Sequence, residues 1–334
     1  MQDPTASTAP QQRIATIDVL RGIAIIGILP VNVGAIAQWG YQLNENPAKQ
    51  ITSADYFTDL VLSARMMPLF ALLFGMSFEL FLRSAAQHTE RPRLVMARRL
   101  FFLLIVGILH FLVYPGEVLM FYAIGGLIVL LPASLAPRHF AALTGILLVI
   151  VTAPIDGPLK LPGLFLTGAA MTRYDFVPVL QKNNRLAATL LALFTFLAVI
   201  AVYFQLPDIG IGSFSKPGRV AGVLTMFALV IAITLAMKAP NIARVLEFLF
   251  AAMGRMAFTN YLSATALVLL IGHLLDAQYF AFQSMYGLYV AAVIVPIQWA
   301  FSKVWSRYFF YGPLEWLWRT ATWWKPQPNR RWAN

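Results

Sequence analysis

Apolar residues along the chain gather into blocks separated by short polar connections, at 17–38, 57–82, 95–114, 117–133, 138–154, 186–204, 218–237, 257–274 and 285–303. A hydrocarbon core about 30 Å thick takes roughly 20 apolar residues as a helix, so each block is long enough, or nearly so, to cross a bilayer. Nine crossings would leave the two basic termini on opposite faces, against the excess of Lys and Arg expected in cytoplasmic segments. The stretch LPGLFLTGAAMTRYDFVPVL at 161–180 supplies a tenth, short and interrupted by polar residues but apolar enough when other helices shield it. The predicted fold class is all-α, a polytopic integral membrane helix bundle of about ten transmembrane segments (range eight to eleven), both termini cytoplasmic.

The organisation expected around that bundle is simple. Residues 1–16 are polar and read as disordered, 17–311 as a single transmembrane domain, and 312–334 as a cytoplasmic tail. The tail sets Trp316, Trp318, Trp323 and Trp324 beside Arg319, Lys325, Arg330 and Arg331, a composition suited to the headgroup level. Ala35-Ile36-Ala37 imitates a small-residue cleavage site, but Asp18 and Arg21 lie inside the first run and Pro30 and Asn32 interrupt it, so a retained helix is expected.

Composition narrows the function classes. With 59% hydrophobic residues, 12% charged ones and a mean hydropathy of +0.70, the 334 residues exclude a set of water-soluble domains. The net charge of +11 is scattered between apolar runs and speaks for topology, with no nucleic acid as partner. With the N-terminus inside, the cytoplasmic segments hold 19 Lys and Arg, from Arg13 to Arg331, and the opposite face only four, Lys49, Lys160, Lys216 and Arg219. Zero cysteines exclude a thiol nucleophile, an iron–sulfur cluster and a disulfide. Four histidines, none at i, i+4 spacing, leave no expected metal site.

An ionisable group inside a bilayer costs a few kcal/mol by insertion scales, about 3, and each therefore needs a partner or a task. Asp18 and Arg21 stand three apart on the first helix and can pair. Asn32 follows eleven residues after Arg21, three turns and roughly 16 Å along the same face, so one stripe joins a cytoplasmic cation to a polar amide. His110 precedes the tight connection Tyr114-Pro115-Gly116-Glu117, where Glu117 can orient an imidazole, and Tyr122 follows on the next helix. A histidine backed by a carboxylate can act as a general base, and it can equally bond a neighbouring helix. Arg65 and Glu79 sit in the second block, Glu79 at pairing distance in sequence from Arg83. Asn260 and Tyr261, near the start of the block at 257–274, either line a cavity or bond a neighbour. Glu315 and Arg319 have the favourable order for an intrahelical pair.

IDVLRGIAIIGILPVN, PLFALLFGMSF, the run from Arg98-Arg99 through Gly107, His110 and Gly116-Glu117 to Tyr122-Ala123, GRMAFTNYL and GPLEWLWR together resemble the YeiB-like bacterial inner-membrane proteins, domain-of-unknown-function family 418. The resemblance spans about residues 14–325, and LFLTGAAMTRYDF at 164–176 is similar to a further region of that family. The opening helix is also similar to transmembrane acyltransferases, whose bacterial branch carries a histidine eleven residues after the arginine. Here that position is Asn32, as in the lysosomal branch, and an amide cannot serve as a base.

The resemblance implies an acyltransferase that moves an acyl group, foremost acetyl, from a cytoplasmic acyl-CoA to an envelope acceptor such as a glycan, lipid or small molecule. Arg21, Arg98 and Arg99 would meet the donor's phosphates, His110 with Glu117 would take a proton, and Asn32 or Tyr122 would stabilise the oxyanion. Asp18, Arg65, Asn260 and Tyr261 would line the polar cavity or brace it. No tightly bound cofactor is expected, with acetyl-CoA or another acyl-CoA as co-substrate. The lipid bilayer is the obligate partner, in the bacterial inner membrane, and homo-oligomerisation stays open. The alternative is a transporter or flippase using the same polar stripe as its route.

Overall fold

A computed structural model of the chain describes residues 15–43, 51–211, 215–277 and 281–331. The polar residues before 15, with Arg13, and the loop that carries Lys49 lie outside the described residues. In chain order the helices are α1 (Ala15–Gly40), α2 (Ser53–Phe57), α3 (Met66–Ala86), α4 (Pro92–Phe111), α5 (Leu119–Gly125), α6 (Leu131–Ala133), α7 (Arg138–Thr152) and α8 (Leu161–Arg173). They continue as α9 (Phe176–Lys182), α10 (Asn184–Gln205), α11 (Lys216–Ala236), α12 (Pro240–Leu246), α13 (Ala252–Arg255), α14 (Ala257–Leu275), α15 (Ser284–Tyr308) and α16 (Pro313–Trp323). Among the described residues there is no strand, only one antiparallel bridge between Phe309 and Arg330.

Among the described residues, seven helical stretches are long and apolar enough to cross a membrane: α1, α2 through α3, α4, α10 with the turn that follows it, α11, α14 and α15. Leu119–Ala133 and Arg138–Thr152 are apolar but shorter. Phe196, Val199 and Tyr203 on α10 are each more than 60% exposed, as are Leu143 and Ile150 on α7. So large an apolar surface is incompatible with water and fits a lipid-facing wall. The chain is a multi-pass membrane protein.

Helix α8 shows how a short, polar-interrupted segment survives in this setting. Its 13 residues make about 20 Å of helix, and eleven of them are buried, between α3 and α7. A side chain at Gly75 would meet the Phe165 carbonyl and one at Gly168 the Leu72 carbonyl, so small residues let α3 and α8 approach backbone to backbone. The helix stops at Arg173 and does not run to 180 as the sequence suggested; Asp175, at φ 49°, turns the chain and α9 starts afresh.

Two further differences from the sequence reading have local causes. The block at 57–82 is broken: a π-helical turn, Thr58–Leu62, ends at Ser63, and Ala64 adopts φ 58° before α3 begins. Arg65, 1% exposed, gathers the carbonyls that this break frees, donating to Asp59 O (2.5 Å) and Ser63 O (2.8 Å) as well as to Gln205 Oε1 (2.8 Å). The stretch 240–255, read as a connection, is helical from α12 through a π-helical turn, Glu247–Ala251, into α13, and it packs along the first half of α1. The contact is tight because a side chain at Gly22 would meet the Phe250 carbonyl and one at Gly254 the Asp18 carbonyl. Gly254→Val is therefore expected to force the two backbones apart at a cost of about 1–3 kcal/mol, seen as a lower thermal midpoint in detergent; an unchanged midpoint would show that the crossing yields easily.

Polar contacts sort to two ends of the bundle. At one end Arg21 donates to Ser77, Arg173 bonds Glu79 (2.9 Å), Arg93 bonds Ser134 (2.9 Å) and Lys238 reaches Asn184. At the other Ser284 donates to Asp55 (2.7 Å), Gln38 to Ala281 O (2.7 Å), Tyr41 to Leu269 O (2.5 Å) and Arg219 to Pro154 O (2.9 Å). The start of α1 and the end of α15 share the first end.

Candidate functional site

The α1 stripe that sequence spacing singled out faces a narrow cleft. Ile25, Ile28, Leu29, Asn32 and Ile36, at helical spacings of three and four, form one wall. Tyr114, from the turn after α4, and Tyr261, Ala264 and Thr265 of α14 form the opposite one, with Asn260 and Gln298 of α15 closing it. Arg21 lies one turn before Ile25 on the same face. The cavity measures about 10 Å³, near the size of one water molecule.

His110 stands directly behind this wall. The turn Tyr114-Pro115-Gly116-Glu117 brings Glu117 back over the end of α4, and a side chain at Gly116 would run into the Tyr114 ring. Glu117 Oε2 accepts from the Leu119 N–H (2.8 Å) and Oε1 from the Met120 N–H (2.6 Å), capping α5. Its Oε2 also lies 3.5 Å from His110 Nδ1, close enough for its charge to act on the ring, although that nitrogen makes no hydrogen bond among the described residues. On the far side of the ring, His110 Nε2 is 3.0 Å from Thr265 Oγ1. Both Glu117 oxygens act as acceptors, so the arrangement favours the tautomer with hydrogen on Nδ1 and a lone pair on Nε2 directed at the threonine hydroxyl. Tyr261 stands edge-on to the imidazole at 5.4 Å and Tyr114 at 6.1 Å.

Of the polar residues on the cleft, Asn260 and Gln298 are already engaged, while the Tyr261 hydroxyl has no hydrogen-bond partner among the described residues. Asn260 Nδ2 donates to Met253 O (3.2 Å) and Ser302 Oγ (3.0 Å), and Gln298 Nε2 donates to Asn260 O (2.7 Å) and Ser263 Oγ (2.9 Å). This network ties α14 to α13 and α15 and holds the wall rigid. The Asn32 amide makes no hydrogen bond to another described residue, so its N–H groups are available to the cleft. Thr265 was not singled out from the sequence. Its signal was its place four residues after Tyr261, on the same face of α14.

Other expected site residues lie elsewhere. Tyr122 packs in an aromatic cluster with Phe74 (5.1 Å) and Phe165 (5.1 Å) and is not part of the cleft wall. Arg65 belongs to the helix break described above. At the end where α1 begins, Arg21 Nη1 donates to Asp18 Oδ1 (3.3 Å). The Arg99 guanidinium lies 3.6 Å from the Trp318 ring centre and 4.7 Å from that of Phe81, and Arg98 lies 5.9 Å from that of Trp324. Two of the three arginines expected at a donor's phosphates are thus covered by aromatic rings of α3, α16 and its end.

Helix α16 is held by a contact that sequence spacing did not foresee. Glu315, expected to pair with Arg319, instead crosses to the start of α14, where Oε1 accepts from the Phe258 (2.8 Å) and Thr259 (3.0 Å) N–H groups and Oε2 from the Thr259 hydroxyl (2.6 Å). A carboxylate at a helix N-terminus meets the positive end of its dipole. Burial nevertheless raises the Glu315 carboxyl above its ordinary value, the hydrogen bonds opposing. The Trp318 indole donates to Arg99 O (2.8 Å), fixing α16 on α4.

Fold and surface define the class: a polytopic, all-helical membrane protein with a buried histidine close to a carboxylate beside a cleft. Its similarity to known proteins names the family. Residues 171–325 match a protein family of unknown function, DUF418. The chain is 31% identical, over 94% of its length and 95% of the relative's, to an uncharacterised 39.9 kDa protein from an amylase 3′ region of Bacillus acidopullulyticus. It is 24% identical to YxaH of Bacillus subtilis (96% of this chain, 97% of YxaH) and 28% identical to YeiB of Escherichia coli (93% and 96%). The chain belongs to the YeiB-like DUF418 family.

Proposed function

We propose that the protein is a membrane-embedded acyltransferase that takes an acyl group, foremost acetyl, from an acyl-CoA and passes it to a hydroxyl or amine of an envelope acceptor. The observation that carries this reading is the meeting, on one α1 stripe, of a cation at one end and a base with an uncommitted amide at the other. Arg21 is placed to meet donor phosphates, and Ile25, Ile28 and Leu29 to line the path of an extended thioester arm. Asn32 can donate to a developing oxyanion, and His110, oriented by Glu117, can move the proton through Thr265. Since the cleft now has room for little more than a water, donor entry requires α1 to part from α14 and α15. The Lys and Arg distribution and the clustering of helix ends support ten crossings with both termini cytoplasmic, in a bacterial inner membrane.

Calorimetric titration of the detergent-purified protein with acetyl-CoA and longer acyl-CoAs tests the reading. Micromolar binding by the wild type, weakened at least about tenfold in Arg21→Ala, is expected, a loss of roughly 1.4 kcal/mol. Absence of binding to folded protein would remove the donor and turn attention to lipid or solute movement in liposomes.

A further inference from the structure

We propose that Thr265 itself receives the acyl group, so that transfer proceeds through an acyl-threonine ester. This rests on the acyltransferase reading and specifies its route. The structural basis is the line Glu117–His110–Thr265, with the carboxylate 3.5 Å from Nδ1 and the hydroxyl 3.0 Å from Nε2. A nucleophile in hydrogen-bond contact with a base, with a carboxylate charge close to the base's other nitrogen, matches the roles of covalent catalysis, which are recognised by geometry and not by chain order.

Thr265 contrasts with four helical threonines that spend their hydroxyl on their own backbone. Thr152, Thr225, Thr234 and Thr322 all donate to the carbonyl four residues back, at 2.7 Å. That is the ordinary fate of a threonine in an apolar helix. Among the described residues Thr265 makes no such bond, and its hydroxyl is turned to the imidazole while the residue lines the same cleft as Asn32.

The chemistry balances without a further reactant. Thr265 Oγ attacks the thioester carbonyl carbon as its proton passes to His110 Nε2, and Asn32 N–H steadies the oxyanion. Collapse breaks the C–S bond, the sulfur leaves with the electron pair, and it takes the proton from His110. The acceptor hydroxyl or amine then attacks the ester carbonyl and gives its proton to His110. The C–O bond to Thr265 breaks and His110 returns the proton to Oγ. Acyl-CoA and acceptor become CoA and acylated acceptor.

The test uses purified full-length protein mixed with acetyl-, butyryl- and octanoyl-CoA without acceptor and quenched in acid during the first turnover, with CoA release and intact mass followed together. Wild type is expected to release about one CoA per protein in a burst and to gain one acyl group on the peptide that contains residue 265. Thr265→Ser should keep both. Thr265→Ala should show no adduct and about a thousandfold slower CoA release, with acyl-CoA affinity within threefold of wild type. Thr265→Ala that turns over within threefold of wild type, or an acyl group carried on another residue, would overturn the threonine route and leave the acyltransferase reading standing. Wild type that binds and cleaves none of the three donors would overturn both.

Discussion

Replacing His110 with glutamine should lower acyl-CoA turnover about 10²–10⁴-fold, the range that a positioned general base contributes, with donor affinity nearly unchanged. Glutamine keeps much of the imidazole's size and can still bond Thr265, but it cannot accept the proton. The loss should therefore appear in kcat and not in the calorimetric Kd, because Arg21 lies eleven residues and about 16 Å of helix from Asn32. Glu117→Gln provides the companion: it leaves His110 without the charge that favours its Nδ1–H tautomer, and it should fall between wild type and His110→Gln. Turnover of His110→Gln within threefold of wild type would leave His110 as an interhelical hydrogen-bonder with Thr265 and no more.

The largest stability effect is expected at Glu79. Its Oε2 accepts from Arg173 Nε at 2.9 Å, and both side chains are about 12% exposed or less. Arg173 also donates to Ala133 O (3.2 Å) and Ala136 O (3.3 Å), so one guanidinium ties α3, α8 and the chain after α6. The partner that sequence spacing suggested, Arg83, lies farther from Glu79, at 3.9 Å, and is engaged with Asp175 (3.0 Å) and Thr172 O (2.7 Å). Removing one member of a buried pair strands the other, typically at 3–5 kcal/mol, so Glu79→Gln should cost about 3 kcal/mol. Thermal unfolding in detergent, read by tryptophan fluorescence, measures it, and the double variant with Arg173→Met isolates the coupling. A coupling near zero would mean that the backbone carbonyls alone hold Arg173.

The contrast between these sites shows which information is local. Apolar block length identified the helices, because in a bilayer every backbone group must be bonded within its own segment and only a long apolar helix does so. The stripe from Arg21 to Asn32 was legible for the same reason: both residues sit on one rigid helix, and helical geometry fixes their direction and separation. His110 and Glu117 were legible as a pair because a four-residue turn leaves them little freedom.

What spans two distant helices was not legible. Thr265 meets His110 across 155 positions of sequence, Glu315 meets the start of α14 across 57, and Glu79 meets Arg173 across 94. Arg65 answers a backbone break that apolar pattern does not reveal, and Tyr122 turns into an aromatic cluster instead of the cleft. By itself the sequence determined that the chain is a membrane bundle of this family and which face of α1 is polar. Only tertiary structure decided which hydroxyl faces the histidine and which carboxylate holds each arginine, since those choices depend on how helices cross, and close crossings such as Gly75 with α8 are settled by backbones far apart in the chain.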